Sequence, residues 1–265
     1  MVRGREAKMS FRMSNPYFQF KQFVVYQDQC AMKVCTDACI FGAWFAEKTP
    51  SYSLVLDIGS GTGLLMLMLA QKHKGEIQGI ELDLDAFKQL KENITGSPFQ
   101  IGLKAFPGDV RSYAFPQKFD FIITNPPFFE GDLPATSEAA NLAKHSKELT
   151  LAALLTVIDN NLKSTGSFGI LLPYHRVAYF IELAAGHGFA LAEKLLVRQT
   201  PRHDFFRGIL HFSRSLSQEG GSQKEEDGSR RAKSFVPSSE LCIKNEAGVY
   251  TEDFVELMKD YYLYL

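Results

Sequence analysis

A short apolar run that is followed by an asparagine and two prolines has the chemistry of a ligand site. Residues 119–123 are typical of a buried strand. Because proline lacks an N–H group, this strand must stop at Asn125, before Pro126 and Pro127. The turn, called the Asn-Pro-Pro turn below, presents one amide side chain, fixed carbonyl groups and the aromatic face of Phe128. At the carboxyl end of a strand in an open α/β sheet, such a turn lies where ligands bind.

A second candidate site is the glycine-rich segment that starts at Asp57. Gly59, Gly61 and Gly63 join a predicted strand to a predicted helix. Glycines let the backbone turn sharply and come close to a ligand that a Cβ atom would exclude. A nicotinamide dinucleotide site would need a glycine at the next position, which is Leu64.

Two further acids are predicted to share the edge of the sheet with Asp57. Glu81 ends the next strand, where a carboxylate can accept hydrogen bonds from both hydroxyls of a ribose. Asp109 follows the third strand, where its carboxylate could accept from an adenine amino group. Three acids would repel a phosphate, so a cationic or neutral nucleoside fits better. S-adenosyl-L-methionine fits this description, because it is a nucleoside that carries a sulfonium cation and no phosphate.

The composition is that of an ordinary globular protein. The 265 residues are 45% hydrophobic and 22% charged, with a net charge of -1. Near-zero net charge gives no global field for nucleic acid, so RNA or DNA binding would depend on local basic patches. The four cysteines lack metal-ligand spacing, which predicts reduced thiols and no metal site. No apolar run spans a membrane and no signal peptide is recognised, so we expect a cytoplasmic protein.

Alternating strand and helix patterns run from Ser53 to Ala185. Such alternation predicts parallel strands with helices on both faces of the sheet. Two later strands, Ala190 to Gln199 and Gly208 to Ser213, have no helix between them, which predicts an antiparallel pair. In front of the sheet, Thr36 or Asp37 is expected to cap a helix.

The expected domain organisation is simple. The sequence predicts a flexible basic N-terminal arm over residues 1–14, a single domain over 15–265, a mobile loop over 217–234, and a C-terminal strand and helix within 239–265.

Together these segments resemble the class I S-adenosylmethionine-dependent amino-methyltransferases. The segments in question are residues 57–63, Glu81, residues 108–109 and residues 125–128. Residues 30–44 and 202–210 further resemble the bacterial valine-tRNA adenine-N6-methyltransferase family. That resemblance covers residues 13–214 and, more weakly, 260–264. Cys35 stands where that family usually has glycine, which favours a space-filling role over a reactive thiol.

The resemblance implies a fold, a cofactor and a reaction. The fold would be the Rossmann-like α/β fold of class I methyltransferases: three αβα layers around a seven-stranded, mostly parallel sheet with an antiparallel C-terminal strand pair. The reaction would be methylation of the N6 amine of an adenine in tRNA, at the adenosine next to the anticodon of valine tRNA. The residues expected to bind S-adenosyl-L-methionine are Thr36, Asp57, Gly59, Gly61, Gly63, Glu81, Asp109 and Asn125.

The Asn-Pro-Pro turn would then supply the catalytic residues Asn125, Pro126, Pro127 and Phe128. An adenine amine is a weak nucleophile because its lone pair is delocalised into the ring. The Oδ1 atom of Asn125 and the carbonyl of Pro126 would hold its two N–H groups and stabilise the charge that develops on nitrogen. Phe128 would stack on the base, and Pro127 would stiffen the turn.

Basic and aromatic residues after this turn are the expected substrate contacts. By the resemblance, Lys144, His145, Arg202 and Arg207 would lie near the RNA, where Lys and Arg would neutralise phosphates. Phe205 and Phe206 would either stack on bases or cover the core.

Two other hypotheses about function stay open at this point. The acceptor could instead be ribosomal RNA, DNA or a protein glutamine, since each presents an NH2 group. Phe128 favours RNA, because glutamine- and DNA-modifying relatives often have tyrosine there. The third hypothesis is a non-catalytic cofactor-binding or RNA-binding module. The sequence does not predict an oligomeric state.

Overall fold

The computed structural model describes residues 15–30, 32–51, 53–127, 149–215 and 236–265. The strands are β1 (Tyr17–Gln19), β2 (Val24–Tyr26), β3 (Val55–Ile58), β4 (Ile77–Glu81), β5 (Leu103–Pro107), β6 (Phe119–Thr124), β7 (Leu162–Pro173), β8 (Phe189–Arg198), β9 (Phe205–Arg214) and β10 (Ser238–Cys242). The helices are α1 (Thr36–Ala46), α2 (Leu64–Ala70), α3 (Leu84–Thr95), α4 (Leu151–Asn161), α5 (Val177–Gly186) and α6 (Glu252–Met258). The predicted arm over 1–14 and the predicted loop over 217–234 lie outside the described residues.

One mixed sheet of eight strands forms the centre, in the order β10-β8-β9-β7-β6-β3-β4-β5. Neighbouring strands are parallel except β9, which is antiparallel to both β7 and β8. The predicted antiparallel pair is therefore confirmed, and its cause is the short connection between β8 and β9, which allows only a hairpin. The predicted count of seven strands was one short. The eighth is β10, which adds to the sheet edge parallel to β8.

The sheet lies between two layers of helices, so the predicted three-layer architecture is confirmed. Alternate side chains of each strand point to opposite faces. Val55 of β3 joins the hydrophobic cluster that contains residues of α1, α2, α3 and α6, whereas its neighbour Leu56 joins the cluster that contains α4 and α5. Within the described ranges, no helix combines the length and hydropathy of a membrane span.

A two-stranded hairpin, β1–β2, lies outside the main sheet and contacts the C-terminus. Phe20 forms an isolated β-bridge with Tyr262, and the Lys21 ammonium donates to the carbonyl of Leu265 at 2.8 Å. The two chain ends within the described region are thereby joined. Strand β2 also packs against α3, next to the glycine-rich segment.

Replacing Gly169 on β7 with alanine should destabilise the fold by about 1–3 kcal/mol, since inserting a methyl group into a filled core forces its neighbours apart. A Cβ atom there would lie 2.4 Å from the Phe45 ring. Gly186→Ala is the matched control, because its Cβ would meet nothing within 4 Å. Urea unfolding should show a lower midpoint for Gly169→Ala alone. Equal midpoints would contradict the close approach of α1 to β7.

Candidate active site

The glycine-rich segment turns between β3 and α2 as predicted, and its three glycines have two different structural roles. Gly59, Gly61 and Gly63 all have positive φ, at 71°, 53° and 82°. A Cβ atom on Gly59 or Gly61 would meet nothing within 4 Å, so these two residues border open space. A Cβ atom on Gly63 would lie 2.6 Å from Leu90 of α3. Gly63 is thus required for helix packing, and the first two leave room for a ligand.

Asp57, at the end of β3, is fully buried. Neither of its carboxylate oxygens has a hydrogen-bond partner among the described residues. Burial raises the pKa of Asp57 to about 8; the nearby Ser60 hydroxyl lowers this pKa in part, and the charge of Glu81 adds to the increase. An isolated buried carboxylate is costly unless a cation or a donor approaches it. The site therefore fits a cationic ligand.

Glu81 ends β4 and faces the glycine-rich segment. Its Oε2 atom accepts the N–H of Gly61 and its Oε1 atom accepts the N–H of Asp83, both at 2.8 Å. An ionised carboxylate has about four acceptor positions, so two remain for a ligand such as a ribose diol. Glu81 consequently both shapes the loop and keeps capacity to bind.

Asp109 lies close to Glu81, because the N–H of Gly108 donates to the Glu81 carbonyl at 2.9 Å. Arg111 contacts both carboxylate oxygens of Asp109, with 2.6 Å from Nη2 to Oδ2, and lowers the pKa of Asp109. The acid is thus ionised and held in place by an arginine two residues away. Sequence reasoning missed Arg111, although its spacing from Asp109 is a detectable signal.

The Asn-Pro-Pro turn follows β6, next to β3 in the sheet. The Thr124 hydroxyl donates to the Ile58 carbonyl at 3.0 Å, which ties the turn to the glycine-rich segment. Asn125 is half-buried, and its Oδ1 atom is buried without a hydrogen-bond partner in the part of the chain that the structure describes. Pro126 is buried and Pro127 exposed. An unpaired acceptor fixed at this edge can take an N–H group from a substrate; Phe128 lies outside the described residues.

Asn93 of α3 is a buried amide that joins the glycine-rich segment to the hairpin. Its Nδ2 atom donates to the carbonyls of Thr62 and Tyr26, both at 2.8 Å. Its Oδ1 atom accepts the Tyr26 N–H at 2.9 Å. One side chain therefore fixes the loop against β2, and sequence analysis gave no indication of it.

Asn93→Ala should lower the free energy of unfolding by about 2–4 kcal/mol and weaken cofactor binding, because buried backbone groups lose their partners and the loop loosens. Urea unfolding and calorimetric titration with S-adenosyl-L-methionine measure the two effects. The matched control is Lys91→Ala, an exposed position on the same helix, with an expected change within about 0.5 kcal/mol. Wild-type stability in Asn93→Ala would refute the assigned role.

The predicted cap of α1 was wrong. The helix begins at Thr36, its N-cap residue is Cys35, and no side chain among the described residues caps it. Asp37 instead accepts a 2.6 Å hydrogen bond from Nε of Arg207 on β9. Burial raises the pKa of Cys35 to about 12, in keeping with a thiol that fills space. All four cysteines are free, as predicted.

The predicted substrate contacts lie in different surroundings. Arg202 is exposed and 3.4 Å from Glu246, whereas Arg207 is paired with buried Asp37. Phe206 packs against the larger hydrophobic cluster, so it partly covers the core, while Phe205 contacts Tyr174. Lys144 and His145 lie outside the described residues.

The sequence was compared with protein families and with curated proteins. Residues 44–171 match the family model of the methyltransferase small domain. A tRNA1(Val) (adenine(37)-N6)-methyltransferase from Dyadobacter fermentans is 40% identical over 252 residues, which are 94% of this chain and 98% of the relative. Relatives of the same name from Pseudoalteromonas translucida (36% identical, 93% and 98% covered) and Bacteroides thetaiotaomicron (35%, 96% and 100%) also match. The chain belongs to the tRNA1(Val) (adenine(37)-N6)-methyltransferase family.

Solved structures agree with this family at the level of fold. A predicted O-methyltransferase from Agrobacterium tumefaciens superposes with a TM-score of 0.61 at 16% identity, covering 85% of this chain and 96% of that one. The CcbJ methyltransferase from Streptomyces caelestis gives a TM-score of 0.51 at 12% identity, covering 69% and 94%. The class I methyltransferase fold is thus confirmed for this family member.

In this family member, the structure brings most of the predicted cofactor residues to one edge of the sheet. Asp57 on β3 and Glu81 on β4 lie next to the glycine-rich segment. On the two sides of this strand pair, Asn125 follows β6 and Asp109 follows β5. Thr36 is exposed at the start of α1. Within the described ranges, no group of three or more His, Cys, Asp or Glu side chains could hold a metal ion.

Proposed function

We propose that this chain transfers a methyl group from S-adenosyl-L-methionine to the exocyclic N6 amine of adenine 37 in valine tRNA. The observation that carries the proposal is the buried Oδ1 atom of Asn125, which has no hydrogen-bond partner among the described residues. It follows the strand that neighbours β3, where the buried carboxylate of Asp57 likewise has none. The Asn125 oxygen needs an N–H donor, and the Asp57 carboxylate needs a cation. A substrate amine and a sulfonium cofactor together supply both.

The binding residues follow from this arrangement. The cofactor, when bound, supplies an electrophilic methyl group on a positively charged sulfur. Asp57 would attract the cationic part, Glu81 would accept from the ribose with its remaining positions, and Gly59 and Gly61 would leave room for the ligand. Asp109, ionised beside Arg111, would accept from the adenine amino group of the cofactor. Thr36 and Gly63 complete the proposed set.

The Asn-Pro-Pro turn would activate the amine. Asn125 Oδ1 and the Pro126 carbonyl would accept its two N–H groups and stabilise the positive charge that develops on nitrogen. Pro127 would keep the turn rigid, which alignment for attack requires. Phe128 would stack on the base. The methylated cation then loses its proton to water, so no side-chain base is needed.

The substrate would be tRNA, and the cytoplasm is the compartment in which we expect the protein to act. The target adenine must leave its stack to reach Asn125, which costs less at an exposed loop nucleotide than in a duplex. Arg202, Lys144 and His145 would lie toward the RNA, Phe205 and Phe206 would provide apolar surface, and Arg207 would hold α1 in place through Asp37.

Transfer of a labelled methyl group tests the proposal. Purified protein and methyl-labelled cofactor are incubated with one acceptor pool at a time. The four pools are unmodified total tRNA, ribosomal RNA, DNA and cell protein. We expect label only in tRNA, as N6-methyladenosine in a nucleoside digest, and none in a valine tRNA with guanosine at position 37. Label in another pool would show that the acceptor is not tRNA. If no pool were labelled, the result would favour a non-catalytic module.

A further inference from the structure

A groove opens on the carboxyl edge of the sheet beside the Asn-Pro-Pro turn. Residues 173–175 and 204–207 line it, and its volume is about 690 Å³. Sites for small ligands usually enclose about 300–1,000 Å³. The groove lies where β7 and β9 meet, since Pro173 pairs with Arg207. Because β7 is also the neighbour of β6 and Thr124 pairs with Ile170, the groove begins one strand across from Asn125 and two residues farther along β7.

Two aromatic rings form one wall of the groove. Tyr174 is 43% exposed, and its ring centroid lies 5.5 Å from that of Phe205 at an interplanar angle of 48°. Rings this close are in contact, so a third ring would stack on their exposed surface rather than between them. The Arg198 guanidinium lies 5.1 Å from the centroid of Phe205 and bonds Glu240 at 2.9 Å, which holds the ring in place. The wall is a preformed stacking surface.

The charges around the groove disfavour a phosphate and favour a base edge. Asp204 is exposed in the lining, and its carboxylate would repel phosphate but accept from a base amino group. Arg207 lines the groove too, but its charge is balanced by Asp37 at 2.6 Å. Stacking surface and acceptor together match a nucleobase.

We propose that this groove, the neighbour-base groove, holds the base of a nucleotide directly adjacent to the methylated adenosine. The inference rests on the proposed RNA substrate. Adjacent strands lie about 4.8 Å apart, and Tyr174 lies three residues, about 10 Å, beyond the level of Asn125 along β7, so the two positions are about 11 Å apart. Two consecutive nucleotides whose bases are splayed apart can span this distance. When the target adenine leaves its stack, its neighbour loses a stacking partner, and the wall of Tyr174 and Phe205 replaces it. Part of the cost of unstacking is thereby recovered.

Variants of the wall give the first test. Tyr174→Ala should raise the KM for a synthetic anticodon stem-loop of valine tRNA about 5- to 150-fold, the usual effect of removing one stacking ring. Tyr174→Phe keeps the ring and should retain the wild-type KM. Both should bind S-adenosyl-L-methionine as the wild type does, which also shows that they are folded. A wild-type KM in Tyr174→Ala would overturn the proposal.

Abasic RNA gives a second test that needs no protein variant. Two stem-loops lack the base on the 5′ or on the 3′ side of the target adenosine. We expect wild-type protein to show a raised KM with one of these two RNAs. With that same RNA, Tyr174→Ala should raise the KM little further, because the missing base and the missing ring remove the same contact. Fully additive losses, or no loss with either RNA, would overturn the inference. If wild-type protein methylates no RNA at all, the proposed function itself fails instead.

Discussion

Asn125→Ala should lower the rate of methyl transfer about a hundredfold to a thousandfold while leaving the affinity for S-adenosyl-L-methionine nearly unchanged. The Oδ1 atom of Asn125 is a buried acceptor without a partner among the described residues, fixed at the end of β6 by the strand and by the proline that follows. Removing one preorganised group that stabilises developing charge typically has an effect of this size. Single-turnover methylation of tRNA and calorimetric titration with the cofactor measure the two quantities separately.

The matched control is Asn161→Ala. Asn161 ends α4, directly before β7, and so lies at the opposite edge of the sheet, where its side chain donates to the carbonyl of Val157. We expect its turnover to equal that of the wild type. If Asn125→Ala kept wild-type turnover, or lost cofactor binding in the same proportion as activity, the amine-holding role of Asn125 would be excluded.

Asp57→Asn should weaken cofactor binding about 30-fold or more and change the pH dependence of stability. Asparagine keeps the shape of the side chain but lacks the charge that attracts a cationic cofactor. Loss of one partner of a buried charge pair costs about 2–5 kcal/mol. Above pH 8 the same substitution should raise the free energy of unfolding, because it removes a buried, unpaired negative charge.

The pH dependence has a definite sign. Burial raises the pKa of Asp57 from 3.8 to about 8 in the folded protein. Between these two values the folded protein keeps a proton that the unfolded chain has lost. The free energy of unfolding therefore falls as pH rises from about 4 to about 8, by at most about 1.4 kcal/mol per pH unit. Urea unfolding of both proteins between pH 5 and pH 9 should show this contribution only in the wild type.

Cofactor binding should be linked to the same proton. A cation favours the ionised form of Asp57, so binding below pH 8 should expel a proton, and affinity should increase with pH up to about 8. Titration in two buffers with different ionisation enthalpies measures the released proton. Equal proton release by wild type and Asp57→Asn would show that Asp57 is not the group responsible.

The features that sequence analysis predicted well depend on local backbone chemistry. Pro126 cannot continue a strand, so the end of β6 was evident from the chain itself. Gly59 and Gly61 predicted a tight turn, and the structure shows that both have positive φ. Glu81 and Asp109 were expected at strand ends, and each lies there. The α1 cap was wrong for a related reason: local preference favoured Asp37 as a cap, but a distant residue engages its carboxylate.

By itself, then, the sequence determined the alternation of strands and helices, the glycine-rich segment, the Asn-Pro-Pro turn and, through its similarity to relatives, the family. These follow from residues that are close together in the chain. Only the tertiary structure decided which distant groups meet. Asp37 and Arg207 are 170 positions apart, and Asn93 joins segments 31 and 67 positions away. The neighbour-base groove likewise exists only where β7 and β9 come together, because pairing between strands brings Tyr174 to Phe205.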